Sequence, residues 1–481
     1  MARAEVAVVG AGPAGLAAAI VLAEHSVDVV LVDEQERAGG QIFRQSPQTF
    51  AVKTSARAGQ ALIAAAAAAR LRHLQRTVVW NLFEPEGSAS DRTATWTLGL
   101  AGDAGLDTLD VDHVLVAAGA YELPVAFPGW TLPGVMGAGG VQAFVKSDKL
   151  LPGRRFVLAG GHPLLLLVAD QLVAAGADVA AVALAQAQPT ALEAFRTTAR
   201  LRGRVSRLGM AGASLLRLRR ARVPMLFSHV IAAAEGDERV EAVRLRPVGA
   251  DWRPTGAGDV TFSCDTVALG YGLVPSTELT RQAGCAHAWR PAAGGWVVEC
   301  DDWQRTSKAG ISVAGEVSGV AGFEQGIEEG RLAAIGILRE LGRIDAAEAQ
   351  RLGVPVRRRL RPLRRFSALV QERFDPRRDA LALLAEGDTV VCRCEEVTAA
   401  QLRAALVEHP HLGDADAVKQ LTRVGMGPCQ GRFCHPTVAA LAADVGSRSF
   451  EELGPFTARP PAKPVRLGDL ADAAAADESA A

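Results

Sequence analysis

Apolar and polar positions along this chain fall into blocks that repeat one architecture. Residues Glu5 to Asp33 read as a buried strand at Val6 to Val9, a glycine turn, an alanine-rich helix and a second strand at Val29 to Val32. That order opens a parallel dinucleotide-binding fold. The pattern predicts a long helix from Ser55 to Leu74, in which the Ala64 to Ala69 run is simply a good helix former. An apolar strand follows over Val111 to Gly119, and the proline-rich stretch Pro124 to Pro133 reads as a hinge. At Arg155 to Ala159 a second strand, turn and helix unit begins, with another strand at Val179 to Leu184. The longest apolar run, Leu164 to Ala187, is broken by Asp170 and Asp178, each costly at a bilayer centre. It therefore reads as a buried helix and then a strand, with no membrane span.

Strands at Phe262 to Leu269 and Ile311 to Ala314, each ending at glycine, and a helix from Phe323 to Leu341 read as a return to the first domain. The arginine-dense stretch Arg357 to Arg365 precedes a helix reaching Phe374. The expected organisation is α/β, with one domain built from residues 1–150 and 262–345 and a second nucleotide domain over 151–261. A basic helical linker over 346–387, a cysteine module over 388–450 and an extended or disordered tail over 451–481 complete it. The tail is rich in Pro and Ala and is expected to lack a core of its own.

At 481 residues the chain is too long for one core, and 49% hydrophobic with 22% charged residues is the balance of a globular protein. Lys plus Arg total 52 against 53 acidic residues, so no global charge attracts nucleic acid or anionic membrane. The N-terminus runs straight into a strand with no export signal, which predicts a cytoplasmic protein and leaves open peripheral contact with the inner membrane face. In that compartment, seven cysteines argue for metal or redox use over disulfides.

The turn Gly10-Ala11-Gly12-Pro13-Ala14-Gly15 fits G-x-G-x-x-G between a strand and a helix. Gly10 permits the tight turn, Gly12 lets a pyrophosphate approach the backbone, and Gly15 lets helix and strand pack closely. The helix N-terminus adds amide donors and a partial positive charge. Asp33 follows Gly15 by eighteen residues, where a carboxylate can bond ribose hydroxyls, with Glu34 beside it. Here the chain resembles the glutathione-reductase-like flavoproteins. The resemblance implies FAD, with further contacts from Gly40 and Gln41 of a Gly-Gly-Gln loop, from Ala118 and Gly119, and from Gly315 and Glu316 at the ribityl chain. No C-x-x-C occurs in these domains, which sets disulfide reductase chemistry aside.

The second unit's turn reads Gly160-Gly161-His162-Pro163-Leu164-Leu165. His162 stands where a bare backbone is needed, and Leu165 where the third glycine would be. A productive NAD site is disfavoured.

Cys392 and Cys394 form C-x-C, and Cys429 and Cys434 form C-x4-C after thirty-four intervening residues. Four thiolates can hold a 2Fe-2S cluster, and Gly425, Gly427 and Gly431 allow a tight loop whose amides point at sulfur. Zinc knuckles prefer a longer first spacing. Arg393, Arg423 and Arg432 stand near the cysteines, either as potential-raising charges or as solvated surface. Cys264, Cys285 and Cys300 are scattered and read as core residues.

The runs Val391-Cys392-Arg393-Cys394-Glu395-Glu396-Val397-Thr398, Gly425-Met426-Gly427-Pro428-Cys429-Gln430-Gly431-Arg432-Phe433-Cys434 and Leu269 to Leu279 resemble one family over residues 5–470. It comprises the FAD-containing A or alpha subunits of opine dehydrogenases or oxidases, hydroxyproline and proline dehydrogenases and the cyanide-forming glycine dehydrogenase. The resemblance implies two glutathione-reductase-like domains followed by a small 2Fe-2S domain of the bacterioferritin-associated ferredoxin type. It also implies a catalytic partner subunit of the D-amino-acid-oxidase type. It leaves open a small ferredoxin-like subunit, ATP or another nucleotide in the second domain, and FMN at a subunit interface served by Arg357 to Arg365.

The expected function is an electron-transfer subunit of a heteromeric amine or imino-acid dehydrogenase, with no general base or nucleophile identified in this chain. The rivals are a self-sufficient NAD(P)H-dependent flavin and iron-sulfur reductase and a zinc-stapled scaffold that has lost flavin function.

Overall fold

The computed structural model describes residues 2–46, 57–69, 71–84, 95–190, 205–446 and 448–480. Alternating and continuous apolar runs become the centre of the first sheet. Strand Ala2–Val9 lies parallel between Val29–Val32 and Gly105–Val116, and Ile311–Val313 adds parallel to the end of the latter. Continuous burial of Val29–Val32 reflects helices on one face and core on the other. The helix Pro13–Glu24 packs against Phe323–Glu340, so the late segment returns to the first unit as expected.

Several elements differ from the sequence reading. The predicted Ser55 to Leu74 helix is a helix at Arg57–Ala68 followed by an edge strand, Arg72–Leu74, paired with Val30 to Val32. Its expected start at Ser55 lies outside the described residues. The predicted strand at Phe262 to Leu269 is two strands. Val260–Ser263 pairs in a three-stranded antiparallel sheet, and Thr266–Gly270 joins the second unit's parallel sheet. Val135–Gly137 is that sheet's edge, so the second unit draws strands from both sides of the seams expected at 150 and 262. The chain comes back to the first unit at Leu273–Pro275, antiparallel to Ala120–Glu122.

The arginine-dense stretch does not precede a helix but lies inside one, Ala346–Arg373. Asp345 caps it by accepting from the Glu348 amide at 2.7 Å. Pro355 and Pro362 are exposed, and each removes one donor without ending the helix, because Val356, Leu360 and Leu363 are buried on its opposite side.

The cysteine module is not a bead on a linker. Val391, Cys392, Leu402, Val438 and Leu441 share one apolar cluster with Val125, Phe127 and Val157 of the preceding units. Trp130 Nε1 donates to the Val390 carbonyl at 2.6 Å across that seam. The tail, expected to be extended or disordered, places Phe456 and Ala462 in buried positions and ends in the helix Leu467–Ala480. It lacks its own core and borrows one, with the Ala462 amide donating to the Trp80 carbonyl at 2.7 Å. Among the described residues, no helix is long and apolar enough to cross a membrane.

Candidate functional site

The first turn connects a buried strand to a helix with Gly12 as N-cap and Pro13 at its first position. Gly10 has φ of 106°, and a side chain there would lie 2.4 Å from the Ala117 carbonyl oxygen. A side chain at Gly15 would lie 1.9 Å from the Gly10 oxygen. At Gly12 it would meet nothing within 4 Å, which leaves a cradle at the helix N-terminus. The Gly39-Gly40-Gln41 loop lies against this turn, with the Gly39 amide donating to the Ala11 carbonyl at 2.8 Å. Asp33 accepts from the Ala11 amide at 2.5 Å and the Gln35 amide at 2.7 Å, and burial raises its carboxyl pKa. Glu34 faces outward and pairs with Lys463 of the tail.

Ala118 and Gly119 follow the strand Gly105–Val116, and the Ser276 amide donates to the Gly119 carbonyl at 2.9 Å. Gly315 has φ of 77° and lies against Ala14, bringing the late glycine and acid to the first turn of the opening helix. Glu316 lines a cavity of about 240 Å³, opposite His162 and the long helix's Phe366, Val370 and Phe374. Burial raises its pKa, partly opposed by the Gly322 amide. Behind it, Glu329 accepts from the Gly315 amide at 3.2 Å and is pushed up to about 7 by burial. The sequence did not single out Glu329. An open pyrophosphate cradle, a buried acid at the second strand's end and a second acid across the opening helix form a set that fits FAD.

The second turn also joins a strand to a helix but has no cradle, and its helix begins only at Leu164 after Pro163. A side chain at Gly161 would lie 2.8 Å from the Trp252 ring and 2.9 Å from Gln186 Nε2. Gln186 Nε2 donates to the Gly161 carbonyl at 2.7 Å. His162, held neutral with its pKa lowered to about 4 by burial, accepts from the Leu164 amide at 3.3 Å through Nδ1. It thereby takes up one of the donors a pyrophosphate would use. Leu165 fills the space under Gly160 and Gly270. The strand Asp178–Leu184 leads to Ala185 and Gln186, with no acid for a ribose, a signal that the sequence carried. Trp252 had no such local signal.

Cys392 ends the strand Val390–Cys392, Cys394 lies in the following turn, and Cys434 immediately precedes the helix His435–Gly446. Cys392 and Cys434 are buried, Cys429 is half-buried and Cys394 is exposed. The four thiols act on one another across the two loops. Cys392 hydrogen-bonds with Cys434, which together with the Gly425, Glu395 and Cys394 amides lowers its pKa to about 5 and raises that of Cys434. Cys394 hydrogen-bonds with Cys429. Among the described residues, no three His, Cys, Asp or Glu side chains are arranged around one metal ion. A mononuclear zinc staple needs four donors converging on one point, whereas a two-iron cluster takes two thiolates at each iron. Four thiols from two loops that meet at Gly427 supply the donors for the latter. Gly427 allows the two cysteine loops to meet, since a side chain there would lie 2.1 Å from Cys394 Cβ. Arg423, with a side chain 68% exposed, pairs with Glu395 at 2.9 Å, and Arg393 lies over the Trp130 ring at 5.3 Å.

One further constellation carries no chemistry. His113 lies 3.0 Å from Ser312 Oγ through Nε2 and 3.3 Å from Glu340 through Nδ1. Both His113 and Ser312 are buried in the first sheet, and burial holds the histidine neutral at about 3. The trio satisfies buried polar groups.

Comparison with known proteins agrees with this geometry. The pyridine nucleotide-disulphide oxidoreductase family matches residues 4–336, and the BFD-like [2Fe-2S] binding domain matches residues 390–444. The A subunit of opine oxidase from Agrobacterium tumefaciens is 33% identical over 96% of this chain and 90% of its own. The HcnB subunit of hydrogen cyanide synthase from Pseudomonas aeruginosa is 35% identical over 89% of this chain and 90% of its own. The fold is that of the L-proline dehydrogenase from P. horikoshii, with a TM-score of 0.67 at 19% identity, covering 97% of this chain and 79% of that one. The chain therefore belongs to the pyridine nucleotide-disulphide oxidoreductase family and, within it, to the FAD- and 2Fe-2S-containing oxidoreductase subunits related to the opine oxidase A and hydrogen cyanide synthase HcnB subunits.

Proposed function

We propose that this FAD- and 2Fe-2S-containing oxidoreductase subunit is the electron-transfer subunit of a heteromeric amine or imino-acid dehydrogenase. A partner of the D-amino-acid-oxidase type oxidises the amine, and electrons pass through this chain to an external acceptor. The observation that carries this reading is the contrast between the open cradle at Gly12 and the second turn, where His162 stands at the equivalent position and accepts from the Leu164 amide. One nucleotide turn can seat a cofactor, and the other gives a nicotinamide donor no place to dock.

In this reading Gly10, Gly12, Pro13, Ala14 and Gly15 seat the FAD pyrophosphate, with Gly40 and Gln41 closing over it. Asp33 orients the adenosine ribose, Glu34 ties that end to the tail through Lys463, and Gly315 with Glu316 orients the ribityl chain. Ala118 and Gly119 border the flavin end. Cys392, Cys394, Cys429 and Cys434 hold the cluster. When bound, the flavin exchanges electrons in pairs or singly and the cluster exchanges one at a time. The chain's own part is positioning and exclusion of water: Phe366, Val370 and Phe374 wall the cavity beside Glu316 with apolar surface.

Expressed alone and loaded with flavin and iron, the chain is expected to oxidise none of a panel of opines, D- and L-hydroxyproline, proline and glycine with a dye acceptor. Co-expression with its amine-oxidising partner is expected to restore turnover. Substantial turnover by the isolated chain would place the amine site here and end the relay reading. Rapid anaerobic flavin reduction by NADH or NADPH would favour a self-sufficient reductase.

A further inference from the structure

Where the first unit meets the cysteine module, polar side chains from three elements are sealed together. Tyr121, on the strand Ala120–Glu122, stands two residues beyond Gly119. Glu278 and Arg281 come from the short helix Glu278–Gln282 of the first unit. Arg432 lies in the loop between Cys429 and Cys434. Arg432 Nε is 2.9 Å from Glu278 Oε1, with side chains only 16% and 7% exposed, and Nη2 donates to the Ala462 carbonyl at 2.8 Å. Arg281 donates to the Phe456 carbonyl, lines a cavity of about 40 Å³ with Tyr121 and His435, and keeps a buried Nε that has no hydrogen-bond partner. Burial holds the Tyr121 hydroxyl protonated. His435 directly follows Cys434, so the cavity it shares with Tyr121 and Arg281 ties the arginine to the cysteine module.

A cluster held by four thiolates is anionic and gains negative charge on reduction. A fixed cation nearby therefore favours the reduced form, and more so where water does not screen it. The arginines of the module surface fit this role poorly, since Arg423 is exposed and already paired with Glu395. Within the group Glu278 pairs with Arg432 and also acts on Arg281, which feels Asp416 of the cysteine module as well.

We propose that Arg281, supplied by the FAD-binding unit and not by the cysteine module, sets the reduction potential of the 2Fe-2S cluster, with Glu278 as the opposing charge. Arg281 is a tuning residue that touches neither the cluster ligands nor substrate. Its consequence is that the cluster is matched to the flavin only while the module is docked, which rests on the relay reading above.

The test is an EPR-monitored redox titration of the full-length holoprotein and its variants, with iron counted in each. Arg281→Gln is expected to move the equilibrium between flavin and cluster about tenfold away from the cluster, which is about 59 mV for a one-electron centre. Glu278→Gln should move it in the opposite direction, Arg281→Lys should restore the wild-type value, and Arg423→Gln should leave it in place. Unmoved potentials in Arg281→Gln and Glu278→Gln with full iron would overturn the inference, as would an equal shift in Arg423→Gln. If Arg281→Gln loses its iron, Glu278→Gln decides alone: a rise supports the inference, and no change or a fall overturns it. A substrate-competent isolated chain with these shifts intact would sink the relay reading and leave the tuning role standing.

Discussion

A methyl group placed on Gly12 would touch nothing within 4 Å, whereas one placed on Gly161 would press on Trp252 at 2.8 Å. Both glycines sit in the strand-to-helix turn of a parallel sheet, although by motif order Gly161 answers to Ala11 and His162 to Gly12. The two turns differ in what surrounds them. Around Gly12 the neighbours stand back, and the nearby carboxylate Asp33 is held by backbone amides. Around Gly161 a tryptophan packs on the turn, and a glutamine and a histidine satisfy its backbone from within the protein. A nucleotide-binding fold thus keeps its architecture after its ligand site has been filled, because buried polar groups accept internal partners as readily as a cofactor.

The largest expected effect breaks the open turn. Gly12→Val should put a branched side chain into the pyrophosphate cradle and lower flavin per chain more than tenfold, read from the visible absorbance of the purified protein. Gly161→Val should leave flavin in place and cost about 1–3 kcal/mol through overpacking against Trp252, read as a lower thermal midpoint. Full flavin in the first variant, or lost flavin in the second, would reverse the assignment of the two turns.

A smaller effect tests whether the second turn is filled for stability. Trp252→Ala should destabilise the chain by about 3–5 kcal/mol as a cavity-forming change in a packed site. NADH should still reduce the flavin slowly in that variant, since His162 and Leu165 remain. Fast anaerobic reduction after this single change would mean that the second site is gated and not lost.

The smallest effect lies behind the first site and follows pH. Burial holds the Glu329 carboxyl at about 7, above its ordinary 4.5. The stability it contributes is therefore fully present below pH 4.5 and is lost as pH rises through about 7. Glu329→Gln should match the wild type near pH 4.5 and gain on the order of 1–3 kcal/mol by pH 8, seen as a thermal midpoint that falls less with pH. Parallel pH profiles for the two proteins would show that the carboxyl is not held in this way.

Local signals carried much of this molecule. The strand, three glycines, helix and Asp33 stand in a fixed order because a pyrophosphate turn demands them within one short stretch. The four cysteines and their glycines are likewise clustered in the chain. Where the reading failed, partners were distant. Thr266–Gly270 looked like a strand returning to the first unit, yet it pairs with Arg155–Gly160, since an apolar strand carries no mark of which sheet will accept it. The helical linker expected over 346–387 does hold the helix Ala346–Arg373, but its buried face was decided by packing on Phe323–Glu340.

By itself the sequence determined the fold class, the intact first turn, the damaged second one and the cysteine set, because each depends on residue types at short spacings. Only the tertiary structure decided that Trp252 fills the second turn, that Phe456 packs on Gly425 and Gly431, and that Arg281 and Glu278 of one unit meet Arg432 of another. Those contacts join residues from about 25 to more than 150 positions apart, and nothing local in the chain fixes them. They are selected by the burial of apolar surface and the pairing of enclosed charges, which act only when the units have come together.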